Sequence, residues 1–298
     1  RRLGFRAMVA LPIIEFPSAW AATRDEYFDK GLAVHDEFRD EPLLGTSFAP
    51  HAPYTVSDAS FKRIRMLSDQ LDLPVHLHLH ETAHEVEQAK REHGARPFAR
   101  MQALGLVNDH LIAVHMTQLT EVEIAACAEA GVSVVHCAES NLKLASGFCP
   151  AEKLRRAGVN LALGTDGCAS NNDLDMFGEL RTAALLAKAV ADDASALDAA
   201  GALHAATLGG ARALGWNERI GSIEAGKQAD LAAVRLDEIE TQPIYDVISQ
   251  LVYAAGRWQV SDVWIAGVRR LRERALVDFD IDEVRAKARR WRERIAAR

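Results

Sequence analysis

The sequence predicts an α/β fold, a (β/α)8 barrel of which six βα units are present, and three observations carry that reading. From residue 7 to residue 166, short apolar runs alternate with helical patterns, the signature of repeated βα units and a parallel sheet. Each of the last four runs carries His, Glu or Asp at or next to its end, where a barrel places its catalytic groups. The glycine-rich first turn of a dinucleotide-binding sheet is absent.

In chain order the six strands are "FRAMVALPI", "LLGTSFAPH", "PVHLHLHE", "HLIAVHM", "VSVVHCAE" and "NLALGTD". Helix-like stretches separate them, among them 57–71, 85–104, 120–130 and 151–157. Six strands cannot close an eight-stranded barrel. At roughly 30 residues per βα unit, two further units correspond to about 60 residues before position 1. Helical patterns follow over 174–191 and 195–214. "IGSIEAGKQADLAAV" then ends in an apolar strand, a helical stretch covers 247–255, and "DVWIAGV" reads as a further short strand. A charged amphipathic helix is expected over 281–297. The expected division is a barrel portion lacking its first two strands at 1–219, the C-terminal part of a small β-sandwich domain at 220–278, and a C-terminal helix at 279–298.

Composition narrows the function. With 49% hydrophobic and 26% charged residues, the chain can bury a large core, and a formal charge of -7 without a basic face argues against nucleic acid or an anionic membrane as partner. No 18-residue apolar run is present. The opening "RRLGFRAMVALPIIEFPSAWAA" imitates a leader, but Pro12, Glu15 and Pro17 interrupt it and no initiator Met precedes it, so the chain is expected to start inside a longer protein. Cys127, Cys137, Cys149 and Cys168 form no CxxC pair, which suits a reducing cytoplasm.

The chemistry gathers around "HLHLHE" at 76–81. Residues two apart in a strand share a face, so His76, His78 and His80 are expected to point one way. An exposed edge strand would explain them, but parallel strands are usually buried. One of these histidines facing His115 and Asp166 from other strands makes an N/O set suited to zinc or another first-row divalent ion.

The runs "HAPYTVS", "HLHLHET", "AVHM", "HCAESNLKLASG", "LGTDGCASNNDLDMFGELRTAALLAK", "ATLGGARALG" and "IGSIEAGKQADL" together resemble the amidohydrolase superfamily, and within its chlorohydrolase-like branch the 5-methylthioadenosine/S-adenosylhomocysteine deaminases. The resemblance implies a TIM barrel of the metal-dependent hydrolase type, with strands 3 to 8 in this chain. It also implies one zinc, or another divalent first-row metal, per subunit. His78 and Asp166 would be metal ligands, Asp166 also the catalytic group that takes the first proton from the attacking water, Glu81 the proton-transferring acid, His115 the histidine that polarises that water, and His51 a substrate contact, with Glu81 and Asp166 also touching substrate. His76 and His80 have no metal role in the pattern, and His136 could be structural. Two departures stand out: the strand-1 H-x-H pair that supplies two further ligands has no counterpart, and "HCAES" carries Ala138 and Glu139 where relatives commonly have "HCPxS".

The implied reaction is hydrolytic deamination of an adenosine-type nucleoside (5'-methylthioadenosine, S-adenosylhomocysteine or adenosine) to an inosine-type product and ammonia. The same machinery would serve a guanine deaminase or a triazine or cyclic-amide hydrolase, and without the H-x-H pair a non-catalytic scaffold is a further reading. A His-rich pH switch would need exposed histidines, which the apolar setting of "LPVHLHLH" disfavours. The apolar helices after Asp166 hint at a homo-oligomer.

Overall fold

Apolar strands bounded by well-capped helices build the larger sheet. The computed structural model describes residues 4–277 and 279–296. In it, β1 (Ala7–Ile13), β2 (Leu44–Pro50), β3 (Val75–Leu79), β4 (Leu111–His115), β5 (Ser133–His136) and β6 (Asn160–Leu163) pair in parallel in the order β1 to β6. Parallel pairing of consecutive strands requires a crossover between each pair and sets all their carboxyl ends on one rim, so the sheet is an arc of a TIM-type barrel. Leu77, Leu79, Ala113, Val134, Phe61 and Met101 at its centre are fully buried.

The crossovers are α1 (Arg24–Phe38), α2 (Asp58–Leu71), α3 (Ala83–His93) with α4 (Pro97–Ala103), α5 (Glu121–Ala130), and α6 (Ala138–Lys143) with α7 (Ala151–Arg156). Thr23, Ser57, Thr82 and Thr120 cap the first turns of α1, α2, α3 and α5 by accepting a backbone N–H. The single helix expected over 85–104 is two, because Gly94 turns left-handed at φ +68° and Pro97 starts a new helix. Helix α1 escaped the periodicity reading because it buries only Tyr27, Phe28 and Gly31.

Beyond β6 lie α8 (Met176–Ala191), α9 (Ala199–His204) and α10 (Gly210–Ala213), the last two separated by a π-helical turn at Ala205–Gly209. The expected continuous helix over 195–214 breaks there because Gly209 presses on β6. A Cβ at Gly209 would sit 2.2 Å from the carbonyl oxygen of Leu161. β7 (Leu231–Val234) precedes α11 (Val247–Tyr253). The single strand expected at "DVWIAGV" is two, β8 (Val260–Ile265) and β9 (Val268–Arg272), hinged at left-handed Ala266 and Gly267. With β10 (Ala275–Leu276) they form a second, antiparallel sheet in the order β10-β9-β8-β7. Arg6, just before β1, donates from Nε to Asp230 at 2.5 Å, tying this sheet to the barrel. The tail helix is α12 (Ile281–Ala296). Residue 297 of the expected tail, the boundary residue 278 and positions 1–3 and 298 lie outside the described residues. Among the described residues, no helix is long and apolar enough to cross a membrane.

Candidate active site

Alternation on β3 buries Val75, Leu77 and Leu79 on one face and leaves His76 and His78, half-buried, on the other, their ring centroids 6.4 Å apart. His80 does not share that face, contrary to the sequence expectation. The strand ends at Leu79, His80 turns left-handed at φ +52°, and the two-residue period stops with it. Its ring is fully buried, with Nε2 accepting the Phe98 N–H at 3.0 Å and Nδ1 3.9 Å from the Glu123 carboxylate. Burial holds it neutral, its pKa lowered to about 4 with Arg96 adding to the effect and Glu123 opposing it.

The rim gathers the remaining groups. His78 Nδ1 lies 2.7 Å from the His51 carbonyl oxygen, which can only accept, so Nδ1 is the donor and Nε2 is the ring nitrogen left for another partner. The His51 ring is 5.5 Å from that of His78 and exposed; burial of its inner part and His78 lower its pKa, against Glu81. His115 ends β4 at φ +75° and is buried. Its Nδ1 donates to Asn141 Oδ1 at 2.9 Å, which again leaves Nε2 unprotonated, 3.8 Å from Glu81 Oε2. The rings of His115 and His78 are 5.5 Å apart. Burial lowers the His115 pKa although Glu81 and Asn141 pull it up.

Glu81 is held by its neighbours: Ser146 Oγ donates to Oε1 at 3.2 Å, and Thr117 Oγ1 donates to its backbone carbonyl at 2.7 Å. Asp166 also sits at a left-handed corner, φ +63°. Its Oδ2 accepts from Ser140 Oγ at 2.7 Å and Ser170 Oγ at 2.6 Å, and Oδ1 accepts the Gly167 N–H at 2.7 Å. Partial burial raises its pKa, but these hydrogen bonds outweigh it and keep the carboxyl below its usual range. His76 and His136 are both lowered to about 4, by burial first and then by neighbouring histidines. His136 Nδ1 is buried with no hydrogen-bond partner among the described residues.

Imidazoles whose Nδ1 is engaged by a hydrogen bond, and a carboxylate that its neighbours keep ionised, are the donor types a first-row divalent ion takes. His78 and Asp166 therefore fit such an ion in kind. In number they are half a tetrahedral set: among the described residues, no group of three His, Cys, Asp or Glu side chains is arranged to hold a metal. Sequence reading assigned no role to Asn141, Ser140, Ser146, Ser170 or Thr117, which orient the polar groups. The signal was present in "HCAESNLKLASG", where three of the five fall within seven residues.

Residues 1–270 match the amidohydrolase family. A 5-methylthioadenosine/S-adenosylhomocysteine deaminase of Teredinibacter turnerae is 47% identical over 297 residues, covering 100% of this chain and 67% of the relative. The protein of the same name from Saccharophagus degradans is 44% identical, covering 99% and 66%. Among solved structures, an adenosine deaminase of Xanthomonas campestris with bound zinc superposes at a TM-score of 0.99 with 67% identity, covering 100% of this chain and 68% of that one. The chain thus spans about two thirds of the length of the proteins it matches.

Proposed function

The chain belongs to the amidohydrolase family, and from that premise we propose that it carries most of the active site of a metal-dependent hydrolytic deaminase acting on adenosine-type nucleosides such as 5'-methylthioadenosine, S-adenosylhomocysteine or adenosine. The observation that carries the reading is the pairing of Glu81 with His115, 3.8 Å apart, with the His115 proton fixed on Nδ1 by Asn141. The names of the relatives supply the substrate class.

His78 and Asp166 would hold the divalent ion, zinc by analogy with the Xanthomonas structure, and further ligands must join these two. When bound, such an ion lowers the pKa of a water molecule from about 15.7 to about 7. The chain's own residues do the rest. His115 Nε2, an acceptor in the resting site, takes a proton as water attacks the purine carbon that bears the amine, and as imidazolium it donates to the new oxygen. Glu81 protonates the adjacent ring nitrogen, so negative charge does not build on the purine. The C–O bond forms and the C–N bond breaks: the proton that His115 took from water passes to the leaving amine, which departs as ammonia, and the second water proton, released as the C=O forms, returns to Glu81 directly or through Asp166. His51, exposed beside His78, contacts the substrate.

We assign the barrel portion to 1–219, the small sheet domain to 220–278 and the tail helix to 279–298. The four cysteines are free, three of them buried, which supports a reducing, cytoplasmic setting.

The test uses the full-length protein. Ammonia release is followed with methylthioadenosine and with guanine, loss of adenine absorbance is followed with the former, zinc per chain is measured, and Glu81→Gln is run beside the wild type. Turnover of the adenosine-type substrate with about one zinc per chain, abolished in the variant, supports the reading. Turnover of guanine alone replaces the substrate class, and a metal-free inactive protein replaces the enzyme with a scaffold.

A further inference from the structure

Glu85 lies one turn into α3 and 6% exposed, and none of the roles above uses it. It occupies the third helical position after the cap Thr82, whose hydroxyl accepts the Glu85 N–H at 3.1 Å. In an ordinary capping box a glutamate here reaches back to the amide of the cap residue. The Glu85 carboxylate reaches further, accepting the N–H of Glu81 on Oε2 at 2.7 Å and the N–H of His80 on Oε1 at 3.1 Å. Its two oxygens therefore grip the two successive amides that carry the chain through the left-handed corner at His80.

The opposite side of that corner is gripped as well. Thr117, 8% exposed, donates its hydroxyl to the Glu81 carbonyl at 2.7 Å and its N–H to the His80 carbonyl at 2.9 Å. The peptide of Glu81 is thus fixed at both ends by the turn after β4 and by α3, and its side chain has no latitude except its own rotamers. Displacement of a reacting group by about 1 Å can cost on the order of a hundredfold in rate.

We propose that Glu85 is a positioning residue for the proton transfer at Glu81, acting by holding the His80 and Glu81 amides so that the Glu81 carboxylate stays against His115. The inference rests on the catalytic role given to Glu81 above. A glutamine at 85 offers one acceptor oxygen to two N–H donors, so one amide must lose its partner and the corner must shift.

The test is a double-mutant cycle in the full-length zinc-loaded protein at pH 8, with kcat, KM, zinc content and thermal midpoint measured for Glu85→Gln, Glu81→Gln and the double variant. A positioning role predicts that Glu85→Gln lowers kcat about tenfold or more with KM within about twofold and zinc retained. In the Glu81→Gln background the same substitution has no further effect on residual kcat, because the group it positions is gone. An unchanged kcat in Glu85→Gln, or an equal loss in both backgrounds, overturns the proposal. Full activity of Glu81→Gln would instead remove the reading on which it rests. If Glu85→Gln does not fold, Thr117→Val runs through the same cycle, with the same split and the same non-additivity expected.

Discussion

His115 Nε2 stands 3.8 Å from Glu81 Oε2, and it does so unprotonated because Asn141 Oδ1 holds the proton on the other nitrogen at 2.9 Å. One amide buried behind the ring therefore decides whether the histidine faces the pocket as acceptor or donor. Asn141→Leu frees the tautomer without touching the pocket groups. The expected result is a kcat lowered about 10–100-fold, the range seen when such orienting partners are removed, with zinc content unchanged, checked by steady-state kinetics and metal analysis.

The substrate contact proposed for the His51 ring can be separated by substitution from the part its backbone plays. Its carbonyl accepts from His78 Nδ1, while its ring is exposed 5.5 Å from that of His78. His51→Ala keeps the carbonyl and removes the ring. Metal content should hold, and KM should rise roughly fivefold, the equivalent of one lost hydrogen bond of about 1 kcal/mol. Loss of zinc in this variant would show that the ring itself supports the ligand.

Stability should depend on pH through Glu179, which is fully buried in α8. Burial raises its pKa from the usual 4.5 to about 8, with Glu139 adding to the effect and the amides of Glu139 and Ala138 opposing it. Between pH 4.5 and 8 the folded chain holds a proton that the unfolded chain has released, so stability falls as pH rises through that window. Glu179→Gln mimics the protonated form and should flatten the decline. Thermal midpoints at pH 5 and pH 8 check it, with the larger difference expected in the wild type.

Leu77 sits between His76 and His78 on β3 and is fully buried. Leu77→Ala should destabilise the chain by about 2–5 kcal/mol through the cavity it leaves, read from urea unfolding. Midpoint loss should exceed that of an exposed control such as Val122→Ala, at a site 80% exposed.

The sheet was legible because its strands are near-continuous apolar runs, and all six fall within a few residues of their expected places. The reading of polar residues at strand ends held for His78, His115 and Asp166, which lie at or just beyond the ends of β3, β4 and β6. It failed at His80, because a left-handed corner on a residue with a side chain leaves no mark in the two-residue pattern. The residues that fix tautomers and carboxylates were equally hidden: Ser140, Asn141 and Ser146 are common polar types whose meaning depends on which strand end lies opposite. β9 was lost in "VRRLRERAL", where arginines lie along an antiparallel strand whose interior is only half-buried. These are features of packing between distant segments, which local periodicity does not encode.

His80, His115, Met116 and Asp166 all turn left-handed where their strands leave the sheet. A residue with a side chain in that region costs about 1–3 kcal/mol and keeps the conformation only while the structure on both sides enforces it. Such joints are stiff by construction. The pocket cannot slacken ahead of the barrel on heating, so catalytic activity and the slow-exchanging amides of β3 and β4 should disappear over one and the same temperature interval. Adaptation to a different purine or side group is then left to the loops that carry none of these joints, those after β1, β2 and β5, where Phe16, Trp20, Tyr54 and Phe148 are exposed.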